Sequence, residues 1–233
     1  DSLKQISNIE NANGSRFFDD TLLGDAGDNR LNGQGGVDVL DGRGGNDTLT
    51  VNSFDIGESI SGGADGDAAG DVDTLDLSGL DQGVFVDLDG STAGALSGAN
   101  AVTQDGFIRI RADFGSDTPG GQIDVTDVED IIGTEFDDVL FGNQENNTII
   151  GGAGDDVIHP FSGYDINSGV APTQAELDAI EFLDGGEGTD LLNFFGGIGQ
   201  LNIDLETGLV QTFADEGEGA RADSVKEFVN FEN

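Results

Sequence analysis

Oxygen-bearing side chains recur in this chain every nine residues, in most units a short distance after one or more glycines. The repeats form two uninterrupted runs, 15–50 and 133–159, and further units lie at 185–193 and, with an insertion, at 62–76. The side chains at the sixth position of the units are Asp20, Asn29, Asp38, Asp47, Asp73, Asp138, Asn147, Asp156 and Asp190. A fixed spacing of this kind predicts that the side chains reach equivalent places in a repeating structure.

The residue types around the sixth position define the chemistry that the repeats could perform. Glycines at positions one, two and four let the main chain turn sharply and direct successive carbonyl oxygens toward one point. The carboxylate at position six adds a charged oxygen to that group. Because calcium prefers six to eight oxygen ligands in a tolerant geometry, the pattern predicts calcium sites made by carbonyls and by carboxylates of stacked turns.

The last three positions of each unit must form the elements that hold these turns. Position eight is aliphatic in every unit of both runs, as Leu22, Leu31, Leu40, Leu49, Leu140, Ile149 and Ile158. A three-residue strand cannot fold alone, but stacked strands with inward central side chains bury a continuous ladder. The sequence therefore predicts an all-β fold, a parallel β-roll (β-solenoid) with calcium between stacked turns. A flexible acidic linker is the alternative, yet linkers do not keep an aliphatic residue in register.

The nine-residue frame resembles that of the RTX (repeats-in-toxin) family, the hemolysin-type calcium-binding repeats. The resemblance implies that each turn stacks on the turn two units later, with an ion between them. The stacked pairs that it implies are Asp20 with Asp38, Asn29 with Asp47, and Asp138 with Asp156. Asn29 and Asn147 depart from the family pattern, since a neutral amide binds calcium more weakly than a carboxylate does. The resemblance also implies that alternate main-chain carbonyls complete each shell, from Gly24, Ala26, Gly33, Gly35, Gly36, Gly42, Gly44, Gly45, Gly133, Glu135, Gly151, Ala153 and Gly154.

A denser group of carboxylates interrupts the unit at 62–76. Asp65, Asp67 and Asp71 are spaced like ligands of an EF-hand loop, although Ala69 stands where an oxygen ligand belongs. No Glu follows at the last coordinating position of such a loop. These three aspartates are therefore a candidate extra metal loop, separate from the turns of the repeats.

Segments between the repeats have the alternation that is typical of strands. Val84 to Leu88, Phe107 to Ala112 and Leu201 to Leu205 alternate apolar and polar side chains, which predicts half-buried strands that extend the same sheet. One short helix is predicted over Thr173 to Leu183, because the segment after Pro172 begins with a capping box.

A tetrapeptide of the form (Asn/Asp)-apolar-Glu-(Asn/Asp) occurs at 8–11, 127–130 and 230–233. Its first two copies lead directly into the two runs of repeats. The sequence therefore predicts two tandem copies, 1–127 and 128–233, each a β-roll with flanking strands. We expect the chain to be an excerpt of a longer array.

Composition narrows the classes of partner. The chain of 233 residues has 47 acidic and 8 basic residues and a formal charge of −39, so it repels itself when compact. Such a charge argues against binding nucleic acid, and no apolar segment is long enough to span a membrane. With no cysteine, disulfides and thiolate metal sites are excluded. We therefore expect calcium to contribute directly to folding.

Three classes of function fit these observations. The favoured interpretation is a calcium-binding structural module of a secreted or cell-surface protein of the adhesin, toxin or surface-layer type, which folds on meeting extracellular calcium. The alternatives are an ancillary module of a secreted enzyme and a carbohydrate-binding module. We expect no catalysis, because the only histidine, His159, is expected to face outward and has no partner motif. The resemblance implies export by a type I system, with calcium and other domains of a longer chain as partners.

Overall fold

Nineteen short strands build the part of the protein that a computed structural model describes. The described residues are 9–63, 71–88, 106–110, 123–143, 146–160, 180–193, 200–204, 209–213 and 227–231. The strands are β1 (Asn11–Asn13), β2 (Thr21–Leu23), β3 (Arg30–Asn32), β4 (Val39–Asp41), β5 (Thr48–Thr50), β6 (Ser59–Ser61), β7 (Thr74–Asp76), β8 (Val84–Asp87), β9 (Gly106–Ile110), β10 (Ile123–Thr126), β11 (Asp130–Ile132), β12 (Val139–Phe141), β13 (Asn147–Ala153), β14 (Val157–His159), β15 (Ile180–Glu187), β16 (Leu191–Leu192), β17 (Gln200–Asp204), β18 (Leu209–Phe213) and β19 (Glu227–Val229).

Consecutive strands of the repeats alternate between two sheets. Sheet A has the order β1-β3-β5-β7-β11-β13-β15-β19, and all its strands are parallel. Sheet B has the order β16-β14-β12-β8-β9-β10-β6-β4-β2. Neighbours in a sheet are two units apart along the chain, so Leu22 pairs with Leu40 and Leu31 pairs with Leu49. This architecture is a parallel β-roll, as the sequence predicts.

The core of the roll is the ladder of residues at position eight. Its buried members are Leu31, Leu40, Leu49, Ile60, Leu75, Ile131, Leu140, Ile149, Ile158 and Leu183. Leu22 and Leu192, near the two ends, are only partly buried and pack against the same cluster. Each buried aliphatic side chain contributes about 1.5–3 kcal/mol to folding, so the ladder is the main apolar stabilisation of the roll.

Sheet B contains an antiparallel insertion in its middle. Strand β9 runs antiparallel to both β8 and β10. Strand β8 was expected to be half buried, but all four of its residues, Val84–Asp87, are buried. The difference arises on the outer face of the sheet, where Phe85 lies 5.2 Å from Phe141 between ring centres. Aromatic packing therefore covers a face that the alternation predicts to be solvated.

Two further expectations about the flanking segments require correction. The predicted helix over Thr173 to Leu183 is wrong for Ile180 to Leu183, which begin β15 and pair with β13, while 173–179 lie outside the described residues. Leu183 is buried in the ladder, so its place in the sheet prevails over the local capping signal. The segment Leu201 to Leu205 does form a strand, β17, but its described pairing is with β18 in a separate two-stranded sheet.

Sheet A crosses the boundary predicted between the tandem copies. Strand β7 pairs with β11 along its length, from Thr74 with Asp130 to Asp76 with Ile132. The runs of repeats on either side of 127/128 therefore belong to one continuous sheet. The division into two copies, 1–127 and 128–233, remains a prediction from the sequence.

Candidate functional site

The turns between strands stack in two columns along the edges of the roll. The first column leads from sheet A to sheet B and contains the turns 14–20, 33–38, 51–58, 77–83, 133–138, 151–156 and 185–190. The second column leads from sheet B to sheet A and contains the turns 24–29, 42–47, 62–73, 127–129 and 142–147, of which 64–70 and 144–145 lie outside the described residues. Each column therefore aligns the position-six residues of units that are one coil apart.

The position-six side chains are buried although they are polar. Asn29, Asp38, Asp47, Asp73, Asp138, Asn147, Asp156 and Asp190 are each at most 3% exposed, and Asp20, at the first turn, is partly buried. Burying a charged group is costly unless it is paired, hydrogen-bonded or bound to a metal. The partners of each carboxylate therefore decide what the turns can bind.

One carboxylate oxygen of position six links neighbouring coils. The main-chain N–H of Asp20 donates to Asp38 Oδ1 at 2.8 Å, and that of Asn29 donates to Asp47 Oδ1 at 2.6 Å. The same bond joins Asp138 N–H to Asp156 Oδ1 at 2.7 Å, and it continues from Asp47 to Asp73 and from Asp156 to Asp190. The structure thus places all three predicted pairs as stacked neighbours within a column.

The first turn of each column in each run engages its position-six side chain internally. In turns 14–20 and 133–138, the N–H groups of Ser15 and Thr134 donate to Asp20 Oδ2 and Asp138 Oδ2 at 2.5 and 2.6 Å. In turns 24–29 and 142–147, the N–H of the second turn residue donates to the amide oxygen of Asn29 or Asn147. We call these four turns the engaged turns, because a donor already occupies the side-chain oxygen.

Three later turns leave a carboxylate oxygen without a partner. Oδ2 of Asp38, Asp47 and Asp156 is buried and accepts no hydrogen bond. The second residue of these turns, Gln34, Arg43 or Gly152, has a positive φ of 75°, 76° or 113°. In this left-handed conformation its N–H does not reach the carboxylate as it does in the engaged turns. We call turns 33–38, 42–47 and 151–156 the open turns.

In two of the open turns, 42–47 and 151–156, a main-chain carbonyl lies close to the free carboxylate oxygen. A Cβ added to Gly42 would collide with Asp47 Oδ2 and lie 2.5 Å from the carbonyl oxygen of Gly62 in the next coil. At Gly151, a Cβ would collide with Asp156 Oδ2 and with the carbonyl oxygen of Gly185. Carboxylate and carbonyl oxygens gathered around one point are the donor set that calcium prefers. The residues present at turns 42–47 and 151–156 therefore fit a calcium ion.

The raised pKa values of the carboxylates in the open turns also favour a bound cation. Burial raises the pKa of Asp47 to about 6 and that of Asp156 to about 7, and neighbouring carboxylates add to both increases. Burial likewise raises the pKa of Asp38 above its ordinary value. Uncompensated negative charge is therefore unfavourable inside the open turns, and a divalent cation would relieve it.

The predicted carbonyl donors take different places in the turns. Gly24, Gly33, Gly42 and Gly133 each follow a strand directly, Gly151 lies within β13, and all five are buried. Gly35, Gly36, Gly44, Gly45, Ala153 and Gly154 are partly buried, whereas Ala26 and Glu135 are exposed.

In the candidate extra loop, Asp71 Oδ2 accepts a hydrogen bond from Gly45 N–H at 3.2 Å, and Asp65 and Asp67 lie outside the described residues. The extra loop stays a prediction.

Two glutamates take position-six places that the sequence pattern missed. Glu129 directly precedes β11, and its Oε2 accepts the N–H of Asp73 at 2.8 Å, as Asp73 Oδ1 accepts the N–H of Asp47. Glu58 directly precedes β6 and is 5% exposed. Their turns, 127–129 and 51–58, are shorter and longer than the six-residue turn, so no nine-residue register aligns them. The signal that could have found them is an acidic residue immediately before a short aliphatic strand.

The first unit and the histidine also differ from expectation. Gly14 follows β1 and its N–H donates to the carbonyl oxygen of Asn32, so the first turn begins at Gly14 and not at Ser15. His159 is 4% exposed, stacks on Phe141 with ring centres 4.0 Å apart, and has Nδ1 3.1 Å from the carbonyl oxygen of Asn193. Burial lowers the pKa of His159 to about 4, so it is a neutral packing residue at neutral pH.

Among the described residues, no three Asp, Glu, His or Cys side chains converge in a way that could hold a metal by side chains alone. In the same residues, no helix is long and apolar enough to cross a membrane. The candidate sites instead combine a carboxylate with main-chain carbonyls.

The stacked turns and the buried acidic residues define a class of protein, the calcium-binding parallel β-roll. The family model of the RTX calcium-binding nonapeptide repeat matches four copies, at residues 17–49 and 132–166. Residues 17–49 and 132–166 are therefore RTX repeats, and these repeats are a calcium-binding structural module. No curated protein matches the chain.

Proposed function

We propose that this chain is a structural module of a secreted or cell-surface protein, of the adhesin, toxin or surface-layer kind, that folds and becomes rigid on binding extracellular calcium. The observation that carries the proposal is the unpartnered, buried Oδ2 of Asp38, Asp47 and Asp156. An oxygen of this kind destabilises a fold unless a cation compensates it. The family match supports calcium as that cation.

The proposed ligands are these three carboxylates with carbonyls of their own and neighbouring turns. In the engaged turns, the position-six side chains of Asp20, Asn29, Asp138 and Asn147 already accept a main-chain N–H, and they order the first turn of each column. When bound, calcium supplies positive charge to a chain that has only 8 basic residues against 47 acidic ones. The residues themselves hold the turns in register through the bonds between coils.

The setting follows from the calcium concentrations on the two sides of a cell membrane. A site of carbonyls and one or two carboxylates suits extracellular calcium, because modules of that environment bind with dissociation constants of about 10⁻⁴–10⁻³ M. In the cytosol, such sites stay empty and the charge of −39 opposes compaction. An unfolded chain inside and a folded chain outside is the behaviour that export through a type I system requires. Catalysis by this chain is not part of the proposal.

The variant Asp47→Asn tests whether the open turns hold calcium, with Asp81→Asn as the matched control. Asp81 is exposed, so both changes remove one charge but only one removes a buried ligand. We expect thermal unfolding to show calcium-dependent stabilisation of the control equal to that of the unaltered protein. We expect Asp47→Asn to need about tenfold more calcium for the same midpoint, or about 1.4 kcal/mol. Identical calcium dependence of the two variants would contradict the proposal.

A further inference from the structure

The turn 51–58 lies in the first column but lacks the glycine pattern of the repeats, and the family match ends before it, at residue 49. Its end nevertheless has the geometry of a repeat. Ser59 N–H donates to the carbonyl oxygen of Asp38 at 3.0 Å, as Val39 N–H donates to that of Asp20 at 2.9 Å. Glu58 therefore stands one coil after Asp38, in the place that a position-six aspartate takes elsewhere.

Two buried carboxylate oxygens without a partner occur at this point of the column. Glu58 is 5% exposed and Asp38 is 1% exposed, and neither Glu58 Oε2 nor Asp38 Oδ2 accepts a hydrogen bond. The two carboxylates repel each other electrostatically, and Asp55 adds a third negative charge to both. Repulsion between buried carboxylates is destabilising unless a cation lies between them or one is protonated.

The surrounding turn is built to hold these groups in place. Asp55 Oδ2 accepts the hydroxyl of Ser53 at 2.7 Å and the N–H of Gly36 at 3.3 Å. The Ser53 hydroxyl also reaches the carbonyl oxygen of Gln34 at 3.1 Å. These bonds join turn 51–58 to turn 33–38 although the two turns differ in length.

We propose that Glu58 and Asp38 together bind the calcium ion of open turn 33–38, with Glu58 supplying a second carboxylate from turn 51–58, where the repeat motif is absent. The inference rests on the proposed function, because Asp38 is also one of the calcium ligands proposed for the open turns. It assigns the ion to a glutamate from a turn of a different length. The first column of turns then binds calcium beyond the last glycine-rich unit of the first run.

Calorimetric titration with calcium chloride of the unaltered protein, Glu58→Gln and Glu187→Gln tests the proposal. Gln keeps the shape of the side chain and removes its charge, and Glu187 is an exposed control outside the proposed site. We expect Glu58→Gln to bind one ion fewer than the unaltered protein, and Glu187→Gln to bind the same number. An unchanged number and affinity in Glu58→Gln would overturn the proposal and would favour a buried, protonated glutamate.

Two further results separate this inference from the proposed function. If the unaltered protein bound no calcium, the proposed function would fail and this site with it, whereas a selective failure at Glu58 leaves the open turns 42–47 and 151–156 intact. If Glu58→Gln did not fold in calcium, a crystal structure of the unaltered protein grown with calcium decides the question. An ion within about 2.3–2.6 Å of Glu58 Oε2 and Asp38 Oδ2 supports the site, and its absence there overturns it.

Discussion

The carboxylates of the open turns are the residues on which the account depends. Asp38, Asp47 and Asp156 use one oxygen to tie the previous coil to their own and keep the other free. The engaged turns show the contrast, because there a main-chain N–H takes the same oxygen. A change of φ at the second turn residue therefore separates a turn that closes on itself from one that is left to bind a cation.

Acidity should partly replace calcium in the metal-free protein. The folded pKa values of Asp47 and Asp156, about 6 and about 7, lie above the ordinary value of 3.8, so the folded state binds more protons than the unfolded chain between about pH 4 and pH 7. The two carboxyl groups make their full contribution to the free energy of unfolding below about pH 4, where both are protonated. That contribution is lost as the pH rises through about 6 to 7. In chelator, we expect more β-structure by circular dichroism at pH 5 than at pH 7.5.

The double variant Asp47→Asn with Asp156→Asn is the control for this pH dependence. General reduction of the negative charge at low pH would stabilise any compact form of the chain, but it would act on the variant and the unaltered protein alike. We expect the variant to lose part of the gain between pH 7.5 and pH 5. Equal gains in both proteins would show that the open turns do not carry the effect.

Sequence spacing could predict the residues of the regular units but not those that replace them. Asp20 with Asp38 follows from a period of eighteen residues, because two units make one coil. Glu58 and Glu129 do not follow from it, since their turns have eight and three residues. Which turns are engaged and which are open could also not be predicted from the sequence, because Gln34 and Arg43 adopt a positive φ although they are not glycine.

At the scale of the elements, the turns and the strands of the roll tolerate different amino-acid substitutions. The aliphatic ladder tolerates Leu or Ile, whereas the first turn residue must bring its main chain against two oxygens. In turn 42–47, Gly42 and Gly44 differ in this respect. A Cβ at Gly42 meets Asp47 Oδ2 and the Gly62 carbonyl, whereas a Cβ at Gly44 meets nothing within 4 Å.

Alanine at these two glycines should therefore give opposite results. We expect Gly42→Ala to destabilise the calcium-loaded roll by about 1–3 kcal/mol, as overpacking does. We expect Gly44→Ala to leave stability unchanged or raise it by up to about 1 kcal/mol, because alanine restricts the unfolded chain. Denaturant unfolding in saturating calcium measures both, and equal losses would contradict the described packing of the turn.

Strand register was predictable because a position-eight residue recurs in each unit, but the insertions were not. The helix expected to end at Leu183 rested on a local capping signal, while the pairing of β15 with both β13 and β19 is a tertiary contact. Similarly, the alternation of apolar and polar residues in Val84–Asp87 indicates a half-buried strand only if the outer face of the sheet is exposed to solvent. The packing of Phe85 against Phe141 covers that face, and no local pattern predicts it.

At the scale of the whole molecule, the roll has a large negative charge and only a narrow apolar core. One line of aliphatic side chains runs between the sheets, and sheet A continues through the β7–β11 pair across the predicted copies. The formal charge of −39 causes electrostatic repulsion within the folded chain. A core of this width, opposed by that repulsion, makes the bound cations part of the folding equilibrium.

The central claim is that calcium converts an expanded chain into the roll, and small-angle X-ray scattering measures it most directly. In chelator at neutral pH, we expect a radius of gyration near that of an unfolded chain of 233 residues, about 50 Å. Millimolar calcium, and not millimolar magnesium, should reduce it to about 20 Å, with a gain of β-structure by circular dichroism. A chain that is equally compact in chelator and in calcium would contradict the account, because the aliphatic ladder would then suffice without the metal.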